Sequence, residues 1–543
     1  MSDGAMIRCM ADKPAAHRKK FMSALPPTTL LLSDNLDRTL ANPTASNRWH
    51  LLLELYRQEK DPHMQLHVRT ALSASVQHAG VEGFFLATFL YEVTGDLAYL
   101  EQAGSVLLQI KPLDPDRLMA YMVFLWGYFI VRSRDRARFV DILRTARMPE
   151  VVDLLGRHFA AATKTALPAR AITGIRKVAL VASYIGQESH APTVLAFQHA
   201  RLLQDLGFQV HVFSAQELRI QDMANYLGNN INLTTYAPEI EQLRKMVPAG
   251  VGCTLSDERF SMLRRWQDML SALGRFDPDL VMFVGLNSPF LAPLRATRPI
   301  LGLCVHATPP MAAVDVWLTA DRTLAGKLST VWGPAIAPSL GHYHPYRIKL
   351  KPPGTNIARN ELGLRPGAPV LVTVGARLER EIEGEWAKRM VALLRRHPEV
   401  QWLLVGGTGL RPTALVEVPA EQLIALAHRD DLRAVMRCAD IYLNPPRVGG
   451  GFSVAEAMAE GLPAAALAGS DGGDKVAELA ASDVDDYFAK LETWIENAAT
   501  RRADGDRLRK LFAATLDLDQ SGPSLLAACQ LTFERFQTRA GKG

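Results

Sequence analysis

The chain has 543 residues, enough for three or four domains at roughly 150 residues each. Apolar residues make up 48% and charged residues 22%, which excludes a disordered, collagen-like or low-complexity chain. A net charge of +5, from 61 Lys plus Arg against 56 Asp plus Glu, is too small to argue for nucleic acid or an anionic membrane as partner. The five cysteines (Cys9, Cys253, Cys304, Cys438, Cys529) lie far apart, with no C-x-x-C pair. That argues against a disulfide framework or structural zinc and for a reducing, cytoplasmic setting. Met1 to Leu25 is polar and basic, without the apolar stretch of a signal peptide.

In chain order, residues 1–45 lack sustained periodicity and read as a loose arm. Residues 46–165 are helical in pattern, with breaks at Asp61-Pro62, Gly95-Asp96 and Pro112–Pro115. Leu86 to Ile110 reads as helix, short Thr-Gly-Asp turn, helix, and weakly resembles a tetratricopeptide-type hairpin. The repeat period does not recur three times, so a plain bundle fits equally well. The run Leu118 to Val131 is apolar but shorter than the ~20 residues a membrane span needs, and reads as a core helix.

After Pro168 the pattern changes. VALVAS, a Gly-containing loop, the helical VLAFQHARLLQDLG and FQVHVFSA form a strand–loop–helix–strand unit, the signature of a parallel βαβ. Further strands are expected at 280–285, 300–306 and 330–337. A Tyr, His, Lys and Pro-rich linker over 343–358 precedes a second series. This has strands at 370–376, 400–407 and 440–446, and helices from about Gly384 to Arg396 and near Asp430–Arg437. The fold class is therefore α/β, with two Rossmann-like doubly wound domains (176–342 and 359–520) behind an all-α domain, and a C-terminal helix over 521–543 packing back on the first. Two such units would place ligands between them, outside the carboxyl ends of their strands.

The segment Asp431 to Leu467 carries the chemistry. It reads as a helix, a buried strand ending at Asn444-Pro445, a turn Gly449-Gly450-Gly451, a helix starting near Ser453, with Phe452 and Ser453 as further donor-binding candidates, and a stop at Gly461-Leu462-Pro463. A glycine turn feeding a helix N-terminus presents backbone N–H groups and the positive dipole end, a setting that suits a phosphate. Glu456, about one turn in, could reach a sugar hydroxyl beside it. No Gly-Lys-Ser/Thr follows, so this is not a Walker loop.

These residues resemble the donor-binding end of GT-B glycosyltransferases of the retaining group 1 type, which carry Glu-x7-Glu within Glu-Gly-Phe-Gly and Glu-Ala-Met-Ala-x-Gly-x-Pro. Asn444-Pro445, Gly449, Gly451 and Glu456 to Pro463 match that pattern. The resemblance implies ribose contact for Glu456. It maps the family's first glutamate to Val448, which cannot act as a carboxylate. LVTVGARLEREI resembles the strand ending in Gly-Arg-Leu, which implies diphosphate contact for Arg377 beside Gly375, with Arg380 or Arg447 as helpers. VQWLLVGGTG resembles the floor of the nucleotide site. In the first α/β unit, Gly186 follows the first strand where the family brings backbone close to phosphate and acceptor. His306 ends a strand like the histidine held near the transferred sugar. His190, in the loop after the first strand, is a second catalytic candidate, and Asn287, after LVMFVG, an acceptor-binding one. His342 and His344 lack a third ligand, so no metal site is expected. Asp277-Pro278-Asp279 precedes its strand and reads as a turn.

The expected activity is sugar transfer from a nucleoside diphosphate sugar to an acceptor protein or glycan, without metal or other cofactor. Helical N-terminal domains ahead of a GT-B core occur among bacterial glycosyltransferases that modify adhesins or flagellins, and this analogy suggests a protein acceptor. Two alternatives stand beside it: a non-catalytic GT-B subunit that binds a partner through its helical domain, and a nucleotide-sugar epimerase of GT-B shape.

Overall fold

The computed structural model describes residues 26–76, 80–130, 139–163, 167–187, 190–218, 226–228, 240–305, 308–447 and 449–540. They form two compact units, 1–343 with 524–543, and 344–523.

Among the described residues the first unit begins with eight helices: α1 (Pro27–Ala41), α2 (Ser46–Gln58), α3 (Pro62–Ser75), α4 (Val81–Thr94), α5 (Leu97–Gln109), α6 (Pro115–Phe124), α7 (Phe139–Thr145) and α8 (Met148–Ala162). The breaks in the sequence pattern are helix starts. Asp61, Asp96 and Asp114 each accept a backbone N–H of the first turn, and Pro62 and Pro115 sit where a missing N–H costs nothing. Gly95, in the left-handed region at φ 70°, ends α4 and leaves a tight turn into α5. The expected loose arm is corrected from residue 27 onward, because α1 buries Leu32 and Leu36. The apolar run continues α6 through a wider π-type turn, Leu125–Ile130, and its described side chains from Leu118 to Leu125 are all buried. Among the described residues no helix is long and apolar enough to cross a membrane.

The first sheet contains β1 (Lys177–Ala182), β2 (Gln209–Ser214), β3 (Gly252–Leu255), β4 (Leu280–Val284), β5 (Ile300–Leu303), β6 (Val316–Thr319), β7 (Leu328–Ser329) and β8 (Ser339–Tyr343). Its order is β3-β2-β1-β4-β5-β6-β8-β7, and among the described residues only the β7–β8 pairing is antiparallel. Between these strands run α9 (Ala191–Asp205), α10 (Ile240–Met246) and α11 (Met262–Phe276). The strand expected over 330–337 does not form. Gly333 sits at φ 67° before Pro334, and Trp332 is buried with its indole N–H donated to the Pro309 carbonyl. The sheet is extended instead by β6 and β8.

The helical region is not a free-standing domain. Its core is continuous with one face of the first sheet. Tyr226 packs among Trp49, Phe85 and Phe124, and its hydroxyl donates to the Phe85 carbonyl. Phe159 of α8 packs on Trp266 and Phe290, and Asp116 of α6 accepts the Met262 N–H at the start of α11.

The second unit holds β9 (Val370–Val374), β10 (Gln401–Val405), β11 (Leu423–Leu426), β12 (Ile441–Leu443) and β13 (Ala464–Ala465), all parallel in the order β11-β10-β9-β12-β13. Its main helices are α12 (Gly384–Arg396), α13 (Gly451–Ala459), α14 (Val484–Glu496) and α15 (Ala498–Thr515). Val370, Val372 and Val374 face one apolar core and Leu371 the other, so both faces of the sheet are covered, as a parallel sheet requires. The last helix, α16 (Gly522–Ala540), belongs to the first unit. Leu525, Ala528 and Cys529 join the core on the second face of the first sheet, and Arg539 pairs with Asp315.

Candidate functional site

Strand order sets where a crevice opens. In the second unit the chain proceeds one way from β9 through β10 and β11, then crosses to β12 on the other side of β9. The connections at the carboxyl ends of β9 and β12 therefore diverge and leave a gap. Gly375 follows β9 and Asn444 follows β12, so these two of the predicted donor residues flank the gap.

Behind the gap lies Arg447, whose side chain is only 4% exposed. Its guanidinium donates to the Val374 carbonyl at 2.8 Å, to Asn444 Oδ1 at 2.9 Å and to Glu381 Oε2 at 2.8 Å. A Cβ on Gly375 would lie 2.4 Å from one of its nitrogens and one on Gly450 2.6 Å from another, which is why both positions are glycine. Arg447 is thus committed to holding the turn, and is corrected as a free helper for a diphosphate. Arg377 differs: its side chain is 68% exposed and rests on Glu381 Oε1 at 3.0 Å. Glu381 therefore carries one buried and one exposed guanidinium on its two oxygens. Glu379 accepts the Thr408 N–H and hydroxyl, which fixes the Gly406-Gly407 turn after β10.

Gly449 and Gly450 adopt φ 99° and 87°, a backbone that side chains rarely allow, and α13 begins at Gly451, two residues before the expected start near Ser453. Phe452 is 38% exposed, and Ser453 lies against the Tyr442 hydroxyl. Glu456 is half-buried. Burial raises its pKa, while Lys351 and Arg433 nearby pull it the other way. Asn444 is 1% exposed; Arg447 occupies its Oδ1, but its Nδ2 has no partner among the described residues. Sequence reasoning missed Asp471. Its Oδ2 accepts the Gly451 N–H at 3.0 Å, on the helix end expected to take phosphate. Nothing in the spacing of the motif points to a residue twenty positions downstream.

The first unit has the same kind of crevice between β1 and β4. Gly186 is buried there, and its N–H is donated to Thr193 Oγ1 at 2.7 Å. The Thr193 hydroxyl proton is then available to His190 Nδ1, also at 2.7 Å. Burial lowers the His190 pKa to about 4, so the ring is neutral at pH 7 and a weak base. Asn287 is buried, with Oδ1 unpartnered among the described residues and its carbonyl accepting the Ser183 hydroxyl. Glu217, also missed in the sequence, lies behind this crevice, wholly buried. It accepts the Trp266 indole N–H at 2.9 Å and the Phe290 N–H, and burial lifts its pKa to about 7. His306 and Val448 lie outside the described residues. Asp277 and Asp279 hold Arg170 and Arg298, and Asp279 also accepts the N–H groups that open β1, in keeping with the turn reading. His342 bonds the Ser524 carbonyl. No group of three or more His, Cys, Asp and Glu able to hold a metal occurs among the described residues.

Residues 368–497, which contain every donor-site residue named above in the second unit, match the family model of group 1 glycosyl transferases. The chain is 31% identical over 192 residues to a D-inositol 3-phosphate glycosyltransferase of Nocardia farcinica, covering 30% of this chain and 42% of that relative. It thus spans less than half the length of that curated protein. Among solved structures, a Thermobaculum terrenum O-GlcNAc transferase mutant aligns over 99% of this chain and 100% of its own, at 13% identity and TM-score 0.48. A glycosyltransferase from Rickettsia africae aligns over 67% and 99%, at 11% identity and TM-score 0.46.

Proposed function

We propose that the protein is a glycosyltransferase that binds a nucleoside diphosphate sugar at the carboxyl ends of β9 and β12 and transfers its sugar to an acceptor. One observation carries the reading. The glycine turn and the N-terminus of α13 follow β12 at the switch point of a parallel sheet, with Arg377 just after the neighbouring β9 and Glu456 within α13, all inside the segment that matches group 1 glycosyl transferases.

The chemistry follows from charge. Transfer leaves a nucleoside diphosphate, so the barrier falls when positive groups already surround the departing oxygens. A single well-placed donor contributes ~3 kcal/mol in a site that excludes water. Arg377 is a cation with freedom to swing, since its guanidinium is exposed and, among the described residues, pairs with Glu381 alone. The α13 backbone N–H groups supply the fixed partial charge. Glu456 accepts hydrogen bonds from the ribose. With these groups neutralising the diphosphate, the reaction requires no metal. The Glu456 to Pro463 motif supports retention at the anomeric carbon, and the helical region supports a protein or glycan acceptor.

The test combines a panel of UDP, GDP, ADP and dTDP sugars with mass spectrometry of candidate acceptors. Glu456→Ala and Arg377→Ala are each expected to cut transfer at least tenfold at an unchanged melting temperature. Undiminished turnover in both variants overturns the assignment. NMR of the fresh product reads the anomeric configuration directly.

A further inference from the structure

The donor reading asks the N-terminus of α13 to hold an anion, and the protein already holds one there. Asp471 Oδ2 lies 3.0 Å from the Gly451 nitrogen. A Cβ at Gly451 would come within 2.5 Å of that oxygen, so only glycine lets the carboxylate so close. A second donor faces the same ground. The Asn444 amide is wedged between Gly450 and Gly472, with Nδ2 only 2.6 Å from where a Gly472 Cβ would stand, beside Asp471. Asn444 is 1% exposed, and that Nδ2 has no acceptor among the described residues. A buried amide donor left without an acceptor is costly. The Asp471 carboxylate satisfies Gly451 but leaves Asn444 unmet, whereas a phosphate, with three acceptor oxygens, can serve both.

We infer that Asp471 is an internal anion that competes with the donor phosphate for the Gly451 N–H and thereby sets the affinity for nucleoside diphosphates. The inference rests on the proposed donor site. Two negative groups cannot share one N–H at this range without strong repulsion, so donor binding requires the carboxylate to turn away. Asp471 acts on affinity, and it is a positioning residue rather than one that touches the reacting bond.

Isothermal titration of the full chain with UDP, GDP and ADP tests this, comparing wild type with Asp471→Asn and Asp471→Ala. Asn keeps an acceptor for the Gly451 N–H and removes only the charge. Ala removes both and checks that any gain is not a new contact. Both variants are expected to bind the best of the three probes at least fivefold more tightly, and the wild-type disadvantage should shrink in high salt. Equal or weaker binding in both, with wild type still binding, overturns the inference and leaves the donor site standing. If wild type and both variants bind none of the three, the donor reading itself falls. A melting temperature for each variant identifies one that fails to fold, in which case the other decides.

Discussion

At the scale of single residues, burial decides which charged groups serve chemistry and which serve the fold. Arg377 and Arg447 stand seventy positions apart and both reach Glu381, but one is exposed and the other sealed. Arg447→Met leaves the Glu381, Asn444 and Val374 oxygens without their donor. It is expected to cost about 3 kcal/mol, read as a fall in the melting temperature, because removing one member of a buried pair strands the other. Glu217 makes the converse case. Burial raises its pKa from 4.5 to about 7, so the folded state prefers the protonated acid. That preference is harmless below pH 4.5, and its cost grows as pH rises towards 7, where it levels off at about 3 kcal/mol. Glu217→Gln keeps an acceptor for the Trp266 indole without the charge. Denaturant unfolding should show the variant equal to wild type at pH 4.5 and more stable by up to that amount at pH 8. Equal stability at both pH values would contradict the raised pKa.

At the scale of elements, α13 is positioned by glycines at both ends. Gly449 and Gly450 turn the chain into it, and Gly461, at φ 77°, turns the chain out. Its partner α15 crosses at Gly505, where a Cβ would come within 2.1 Å of the Gly461 carbonyl oxygen. Helix propensity alone makes Gly505→Ala stabilising by about 1 kcal/mol. The overlap is with backbone, which cannot turn aside, and overpacking costs typically 1–3 kcal/mol. The steric term wins, and a net loss of roughly 1–2 kcal/mol is expected in thermal unfolding. The α13 start also shows the limit of pattern reading. The glycine triplet and Glu456 were visible in the sequence, and Asp471 was not, because a cap from a loop twenty residues away leaves no periodic trace.

At the scale of the whole molecule, the two units differ in independence. The second buries its sheet under its own helices on both faces, so residues 344–523 expressed alone are expected to unfold cooperatively, by circular dichroism. The first sheet depends on the helical region. A chain truncated before residue 168 exposes Trp266, Phe290 and Tyr226, which that region covers, and is expected to be insoluble or to bind a hydrophobic dye. Recovery of a soluble, cooperative fragment would show that the helical region is an appended domain after all.

Local chemistry by itself determined much of this protein. Helix starts follow from Asp and Pro pairs, central strands from apolar runs buried on both faces, and the candidate donor turn from three glycines before a helix. Each is a property of neighbouring residues, so each is legible in order along the chain. The short or polar strands β3, β8 and β11 were not legible, because partner strands and covering helices stabilise them rather than their own composition. The tertiary structure alone decided that the helical region shares a core with the first sheet, and that Arg447 is sealed while Arg377 is open. It alone placed Asp471 on the end of α13. In each case the deciding energy is burial or a hydrogen bond between residues distant in sequence, and such terms exist only once the chain has closed on itself.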